Sequence, residues 1–326
     1  MHRLSSAALV TLAMMAGGAG AARADETIRI IVPFAAGGPV DAVARLLANE
    51  MQAALGATVV VEDRGGAGGV IATEMVARAP ADGKTLLMGS QGSHVISGLL
   101  QPDLKYDPAK SFTPIAMIGH VPMLLVAAPS LPANDFKAML ALAKTTKLSY
   151  GSAGPGTVMN IAGELINSGA GVQILHVPYR GVGPALPDLM AGRLDLLPAD
   201  PPVLLPQVAA KTVKPLIVFG TERLASLPDI PTTVELGYPG MVMENWYGLL
   251  APAGLPSDVA ARLEKAALAA IRSPAMQAHM KNGELRGTLN AQEFRQRIAS
   301  DLAYWRPTLV RLGISGEGTT PPANTK

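Results

Sequence analysis

The chain has 326 residues with 27 Lys+Arg against 25 Asp+Glu, no cysteine, 49 % hydrophobic residues and 4 % aromatics. A charge this close to neutral provides no basic footprint for nucleic acid and no polybasic run for a membrane surface. The missing cysteine excludes disulfides, thiolate metal sites and a cysteine nucleophile, while the length allows a large core in two domains.

Residues 1–24 read as an export signal: Arg3 supplies the positive start, residues 4–20 are apolar and small, and Ala22-Arg23-Ala24 fits the cleavage pattern. Cleavage is expected after Ala24. The segment carries two arginines and no acid, so the mature chain balances 25 basic against 25 acidic side chains. No later apolar run is long enough to span a bilayer, and a periplasmic protein is expected.

Residues 28–34 read as a buried strand and 41–55 as a helix with Val43, Leu46, Leu47 and Met51 on one side. Between them lies the first glycine loop, Phe34-Ala35-Ala36-Gly37-Gly38-Pro39. A strand follows at 58–62, then Gly-rich 64–69, a helix near 70–79 and a strand at 85–89. Strands alternating with helices at this spacing indicate α/β units around a largely parallel sheet. Residues 115–119 and 123–128 read as strands, 136–144 as a helix, and 148–150 as a strand feeding a second glycine loop, Gly151-Ser152-Ala153-Gly154-Pro155-Gly156-Thr157. A helix from 158 follows that loop. Strands at 173–177, 194–197 and 213–219 alternate with helices at 183–191 and 203–210. After a Pro/Gly-rich linker, 227–240, come a strand at 246–250, an amphipathic helix at 257–272 and a long helix at 292–312, expected to break near Pro307. The tail 315–326 has the composition of a disordered segment.

Catalytic and nucleotide motifs fail on inspection. Gly83-Lys84-Thr85 would need a glycine at position 78, which is Arg78, and its lysine enters a strand. Gly66-x-Gly68 places Ile71 where a dinucleotide fingerprint needs its third glycine. There is no Gly-x-Ser-x-Gly elbow. The histidines, 2, 94, 120, 176 and 279, do not pair at metal-ligand spacing. No cofactor, no metal and no catalytic residue is expected. His176 and His279 read as structural, and His94, placed in a loop, either packs or lines a site.

What remains is anion chemistry. A glycine-rich strand-to-helix junction presents free backbone N–H groups at the positive end of a helix dipole, and this chain has two. Asp41 either starts its helix or faces a ligand donor. Thr157 is an N-cap whose hydroxyl could instead bind a carboxylate oxygen. Arg180 follows a strand end, where α/β sheets place ligand groups, or is simply solvated. Asp200 is a cap or an acceptor for a ligand donor. Ser90 and Ser93 follow the 85–89 strand and face the same edge.

These residues, in this order, resemble the Bug-type (TctC-like) solute-binding proteins, the extracytoplasmic receptors of tripartite tricarboxylate transporters. The resemblance is carried by Val32-Pro-Phe-x-x-Gly-Gly-x-x-Asp-x-x-Ala-Arg45, Val61-Glu-Asp-Arg-Gly-Gly-Ala-Gly-Gly69, Tyr106-Asp-Pro-x-x-x-Phe-x-Pro-Ile115, Tyr150-Gly-Ser-Ala-Gly-x-Gly156, His176-Val-Pro-Tyr-Arg-Gly181 and Gly248-Leu-Leu-Ala-Pro-Ala-Gly254. It implies an α/β type II periplasmic binding protein fold, two α/β lobes joined by two crossing strands, here 123–128 and 246–250, with a ligand cleft between them. Residues 25–123 and 250–326 would form one domain and 124–249 the other. It also implies a small carboxylate ligand (a di- or tricarboxylate, an aromatic carboxylate or an amino acid), membrane transporter subunits as partners, and no enzyme activity. A monomer is expected. The ligand-binding set carried over is Phe34, Ala35, Ala36, Gly37 and Gly38 on one side and Ser152, Ala153, Gly156 and Thr157 on the other, with Asp41, Ser90, Ser93, Arg180 and Asp200 around them. The chain departs from the pattern at Ala35-Ala36, at Asn160 where many members carry histidine, and at the proline-rich Leu197–Pro202 stretch. A ligand-sensing module serving a sensor protein, or an exported enzyme, remain the alternatives.

Overall fold

The computed structural model describes residues 27–101 and 103–314; the segment expected from sequence to be an export signal and the tail at 315–326 lie outside them. The first lobe opens with β1 (Thr27–Val32), α1 (Pro39–Leu55), β2 (Thr58–Asp63), α2 (Val70–Ala77) and β3 (Thr85–Ser90). A π-helical turn at Gln91–Ile96 runs into α3 (Ser97–Leu100), followed by β4 (Phe112–Pro122). The second lobe holds β5 (Leu124–Ala127), α4 (Phe136–Ala143), β6 (Ser149–Ser152), α5 (Val158–Ala170), β7 (Leu175–Pro178), α6 (Val182–Met190), β8 (Leu196–Ala199), α7 (Pro201–Ala209) and β9 (Lys214–Val218). The chain returns through β10 (Glu244–Pro252) and ends in α8 (Ser257–Ile271), α9 (Pro274–Asn282) and α10 (Ala291–Arg311).

Two five-stranded sheets result, in the orders β2-β1-β3-β10-β4 and β7-β6-β8-β5-β9. In each, the parallel strands come from βαβ units, and the strand arriving from the other lobe inserts antiparallel: β10 against β3 and β4, β5 against β8 and β9. Strand β1 shows why both faces of the first sheet must be covered. Ile28, Ile30 and Val32 pack with α1 and α8 on one face, while Ile31 joins Leu87, Met117 and Trp246 on the other. That second cluster continues into the core of the other lobe.

The crossings fall at single residues. Met123 N–H donates to Met243 C=O (2.9 Å), Phe219 N–H to Met123 C=O (2.8 Å) and Met243 N–H to Phe219 C=O (3.0 Å). Strand β10 pairs along its whole length inside the first sheet, so residues 244–249, assigned from sequence to the second domain, lie in the first sheet. The reason is register: Glu244 already faces Pro122 of β4, leaving no part of β10 to span the lobes.

Two further expectations are corrected. Helix α10 is continuous through Pro307, because Trp305, Thr308 and Leu309 on either side are buried and hold the backbone that the proline ring alone would bend. The loop expected around His94 is helical. Ser90 and Ser93 cap it reciprocally, with Ser90 N–H donating to Ser93 Oγ (3.1 Å) and Ser93 N–H to Ser90 Oγ (3.3 Å). A five-residue hydrogen-bond period leaves no apolar stripe at 3.6 spacing, so the sequence shows no helix there.

Candidate functional site

Both glycine loops are the strand-to-helix junctions that the sequence indicates. Gly38 is the N-cap of α1, Pro39 occupies the first helical position, and Gly37 takes φ +84°. In the second loop Gly154 and Gly156 take φ +117° and +76°, and Thr157 is the N-cap of α5. A cleft lies between the loops. Phe34, Ala35 and Gly38 line it from the first lobe, and Ala153, Thr157 and Met159 from the second. The N–H groups of Ala35 and Gly38 make no hydrogen bond among the described residues, which leaves them free to hold an anion.

Several sequence-derived candidates are committed elsewhere. Ala36 and Gly37 are exposed outside the lining, and Gly37 N–H donates to Asp41 Oδ2 (2.8 Å). Asp41 is buried and ion-paired with Arg45 (2.6 Å), whose guanidinium also reaches Asp63 (2.5 Å). It shapes the loop from below and does not enter the cleft. Burial, joined by the charge of Asp41, raises the Asp63 carboxyl above its ordinary range. Ser90 lines the cleft, whereas Ser93 turns back into the cap. Ser152 Oγ bonds His176 Nε2 (2.6 Å) and accepts from Gly154 N–H (3.0 Å), and His176 in turn stacks on Tyr150 at 5.1 Å. Gly156 N–H donates to Asn160 Oδ1 (3.1 Å), and Asn160 Nδ2 donates to Tyr150 Oη (2.9 Å). Asn160 therefore braces the second loop from behind. Arg180 is exposed, with no ion pair among the described residues, outside the lining and next to Gly181, which is part of it.

Thr157 lines the cleft, but its hydroxyl donates to Gly154 C=O (2.7 Å) and accepts Asn160 N–H (3.3 Å). Its one proton is used inside the protein. Thr157→Val should therefore lower the melting temperature, with a stability loss of about 1 kcal/mol as for other N-caps. Ligand affinity should stay within about threefold, since the hydroxyl has no proton left to donate. A large affinity loss at unchanged melting temperature would assign the hydroxyl to the ligand instead.

His94 is fully buried, its Nε2 2.8 Å from Pro108 C=O and its ring edge-on to Phe112 at 4.8 Å. Burial holds it down to about 4. It packs beneath the site and does not line it.

Asp200 directly follows β8 at the floor of the cleft. It occupies the N-cap position of α7, yet its side chain makes no capping bond. Instead its Oδ2 accepts from the Tyr247 hydroxyl (2.6 Å) and from Asn245 Nδ2 (2.9 Å), both on β10 of the other sheet. Asn245 also lines the cleft. The sequence carries one hint of it: a short amide directly before the largely apolar run at 246–252.

Burial pushes the Asp200 carboxyl from 3.8 up to about 6. The folded protein then keeps the proton over a range where the unfolded chain has released it, so this group makes stability fall as pH rises from about 4 to 6. His94 acts with the opposite sign, and comparing wild type with Asp200→Asn cancels it. In ligand-free protein, the stability of Asp200→Asn relative to wild type should rise by about 2 kcal/mol between pH 4 and 7 in urea denaturation. A constant difference would mean that Asp200 titrates normally.

The sequence model described as the tripartite tricarboxylate transporter family receptor matches residues 43–314. Protein BugT of Bordetella pertussis is 33 % identical over 290 residues, 88 % of this chain and 89 % of BugT. The structure of the periplasmic binding protein BugD superposes with a TM-score of 0.85 at 34 % identity, covering 89 % of this chain and 98 % of BugD. MatC from Rhodopseudomonas palustris with bound malate superposes with a TM-score of 0.82 at 33 % identity, covering 87 % of this chain and 98 % of MatC.

Proposed function

The chain belongs to the tripartite tricarboxylate transporter receptor family, a family of solute-binding receptors, and on that premise we propose that it captures a small carboxylate in the periplasm and delivers it to membrane transporter subunits. The observation that carries this reading is the pair of opposed helix N-termini on one cleft, α1 with the free N–H groups of Ala35 and Gly38 and α5 with Ala153 and Thr157. Neutral N–H donors on a rigid frame hold a carboxylate without a counter-ion. The malate bound to MatC supports the same ligand class. The export signal at 1–24 would place the mature chain in the periplasm, the compartment of BugD.

The lobes divide at Met123 and Met243, and they close on the ligand about these two crossings. A receptor suits the site better than an enzyme. Of the candidate acids and bases, Asp41 is ion-paired, His94 is packed under aromatic rings, and Asp200 stands without a partner base in the cleft.

Thermal-shift measurements on refolded, ligand-stripped protein with mono-, di- and tricarboxylates and amino acids should show a selective rise, because a ligand that binds only the folded state stabilises it. Mass spectrometry of ligand released from freshly purified protein should find a carboxylate. A flat panel together with no released carboxylate would sink the reading.

A further inference from the structure

The floor of the cleft does not match its two rims. The rims offer N–H donors, whereas the floor offers acceptors. Asp200 Oδ1 and Asn245 Oδ1 are both buried without a hydrogen-bond partner, and both residues line the cleft. The orientation of the Asn245 amide follows from its own bond: Nδ2 donates to Asp200 Oδ2, so the oxygen is what remains. Asp200 is only 5 % exposed, and it is the single ionisable side chain lining the cleft; no Lys, Arg or His lines it among the described residues. A buried carboxylate with no counter-charge is costly unless a partner compensates it.

Helix capping does not explain the residue, since its side chain makes no capping bond and reaches across to β10 instead. Tyr247 and Asn245 satisfy one carboxylate oxygen fully and leave the other untouched. The acceptor pair is also assembled from both lobes, Asp200 from the second and Asn245 from the first sheet. A group bound there would tie the lobes together at the end of the cleft where the chain crosses.

We propose that the ligand is an amino carboxylate whose ammonium is received on the cleft floor by Asp200 Oδ1 and Asn245 Oδ1. This rests on the carboxylate reading of the rims and narrows it. An ammonium brings three donors and one positive charge to two free acceptors and one uncompensated negative charge. A second carboxylate in the same place would meet like charge and two acceptors. A methyl group would leave both oxygens unpaired.

Isothermal titration of ligand-stripped mature protein at pH 7.5 tests this with acids matched in length. Probes with an ammonium are 2-aminobutanoate, 4-aminobutanoate and 6-aminohexanoate. Their methyl counterparts are 2-methylbutanoate, pentanoate and heptanoate, and their dicarboxylate counterparts are ethylmalonate, glutarate and pimelate. At least one amino acid should bind tenfold or more tighter than its methyl and dicarboxylate counterparts, and Asp200→Asn should remove that preference. Tighter binding of a dicarboxylate or a plain acid by wild type overturns the proposal and leaves the carboxylate reading standing. Failure of every acid to bind overturns both. The wild-type ranking decides the matter even if Asp200→Asn folds poorly. In a folded variant, an unchanged preference would also count against Asp200.

Discussion

Replacing Trp246 with alanine should destabilise the protein by about 4 kcal/mol, the upper part of the range for deleting a buried aromatic side chain. Trp246 is fully buried in β10. Its ring lies edge-on to Phe294 at 4.9 Å, and its Nε1–H donates to Asp301 Oδ2 (2.7 Å), whose Oδ1 accepts from Arg297 Nε (2.9 Å). The residue thus pins α10 to the strand that follows the second crossing. Alanine removes the ring and leaves a buried carboxylate oxygen without its donor, two losses that add in the same direction. Trp246→Phe keeps most of the volume and should lose about half as much. Urea denaturation followed by circular dichroism reads both. Because side chains alternate along a strand, Trp246 points away from the face that carries Asn245 and Tyr247. The phenylalanine variant should therefore bind ligand with near-normal affinity once folded. Stability within about 1 kcal/mol of wild type for the alanine variant would show that the site repacks.

Gly68→Ala should weaken ligand binding by roughly thirty- to hundredfold, equal to about 2–3 kcal/mol of overpacking present only in the closed state. Gly68 sits in the turn before α2 with φ +64°, and a methyl group there would lie 2.7 Å from Pro155 C=O on the opposite lobe and 3.2 Å from Ser97 Oγ. That serine donates to both Gly68 C=O (3.1 Å) and Gly156 C=O (3.3 Å), so the added carbon strikes the contact that joins the lobes. The obstruction is backbone, and no rotamer change relieves it. If the lobes open to admit ligand, the open form bears only the φ strain of about 1 kcal/mol and the closed form bears the clash as well. Calorimetric affinity should fall far more than the melting temperature of ligand-free protein. Equal losses in the two measurements would mean that Gly68 is needed for its turn and not for closure. Affinity unchanged within threefold would mean that the lobes bind ligand without this contact.

Much of the architecture is legible in the chain itself. The alternation of apolar strands with amphipathic helices announces two α/β lobes, and Gly38-Pro39 and Gly156-Thr157 mark where α1 and α5 begin, because glycine conformations and caps are local properties. The same locality explains the misses. The π-helical turn at Gln91–Ile96 has no 3.6-residue stripe, and α10 passes Pro307 only because Trp305 and Leu309 are buried around it. Strand β10 reads as a crossing strand until its register with β4 shows it lying wholly in the first sheet.

The candidate site divides along the same line. By itself the sequence determined that two glycine-led helix starts would offer backbone donors to an anion, since the φ values and the exposed N–H groups follow from residues within a single turn. Only the tertiary structure decided which side-chain polar groups are spent and which are left over. Asp41 is taken by Arg45, Ser152 by His176, and the Thr157 hydroxyl by its own turn. Asp200 instead reaches residues 45 and 47 positions away and keeps one oxygen unused. Local geometry is written in adjacent residues, whereas the pairing of distant polar groups depends on how two sheets are brought edge to edge.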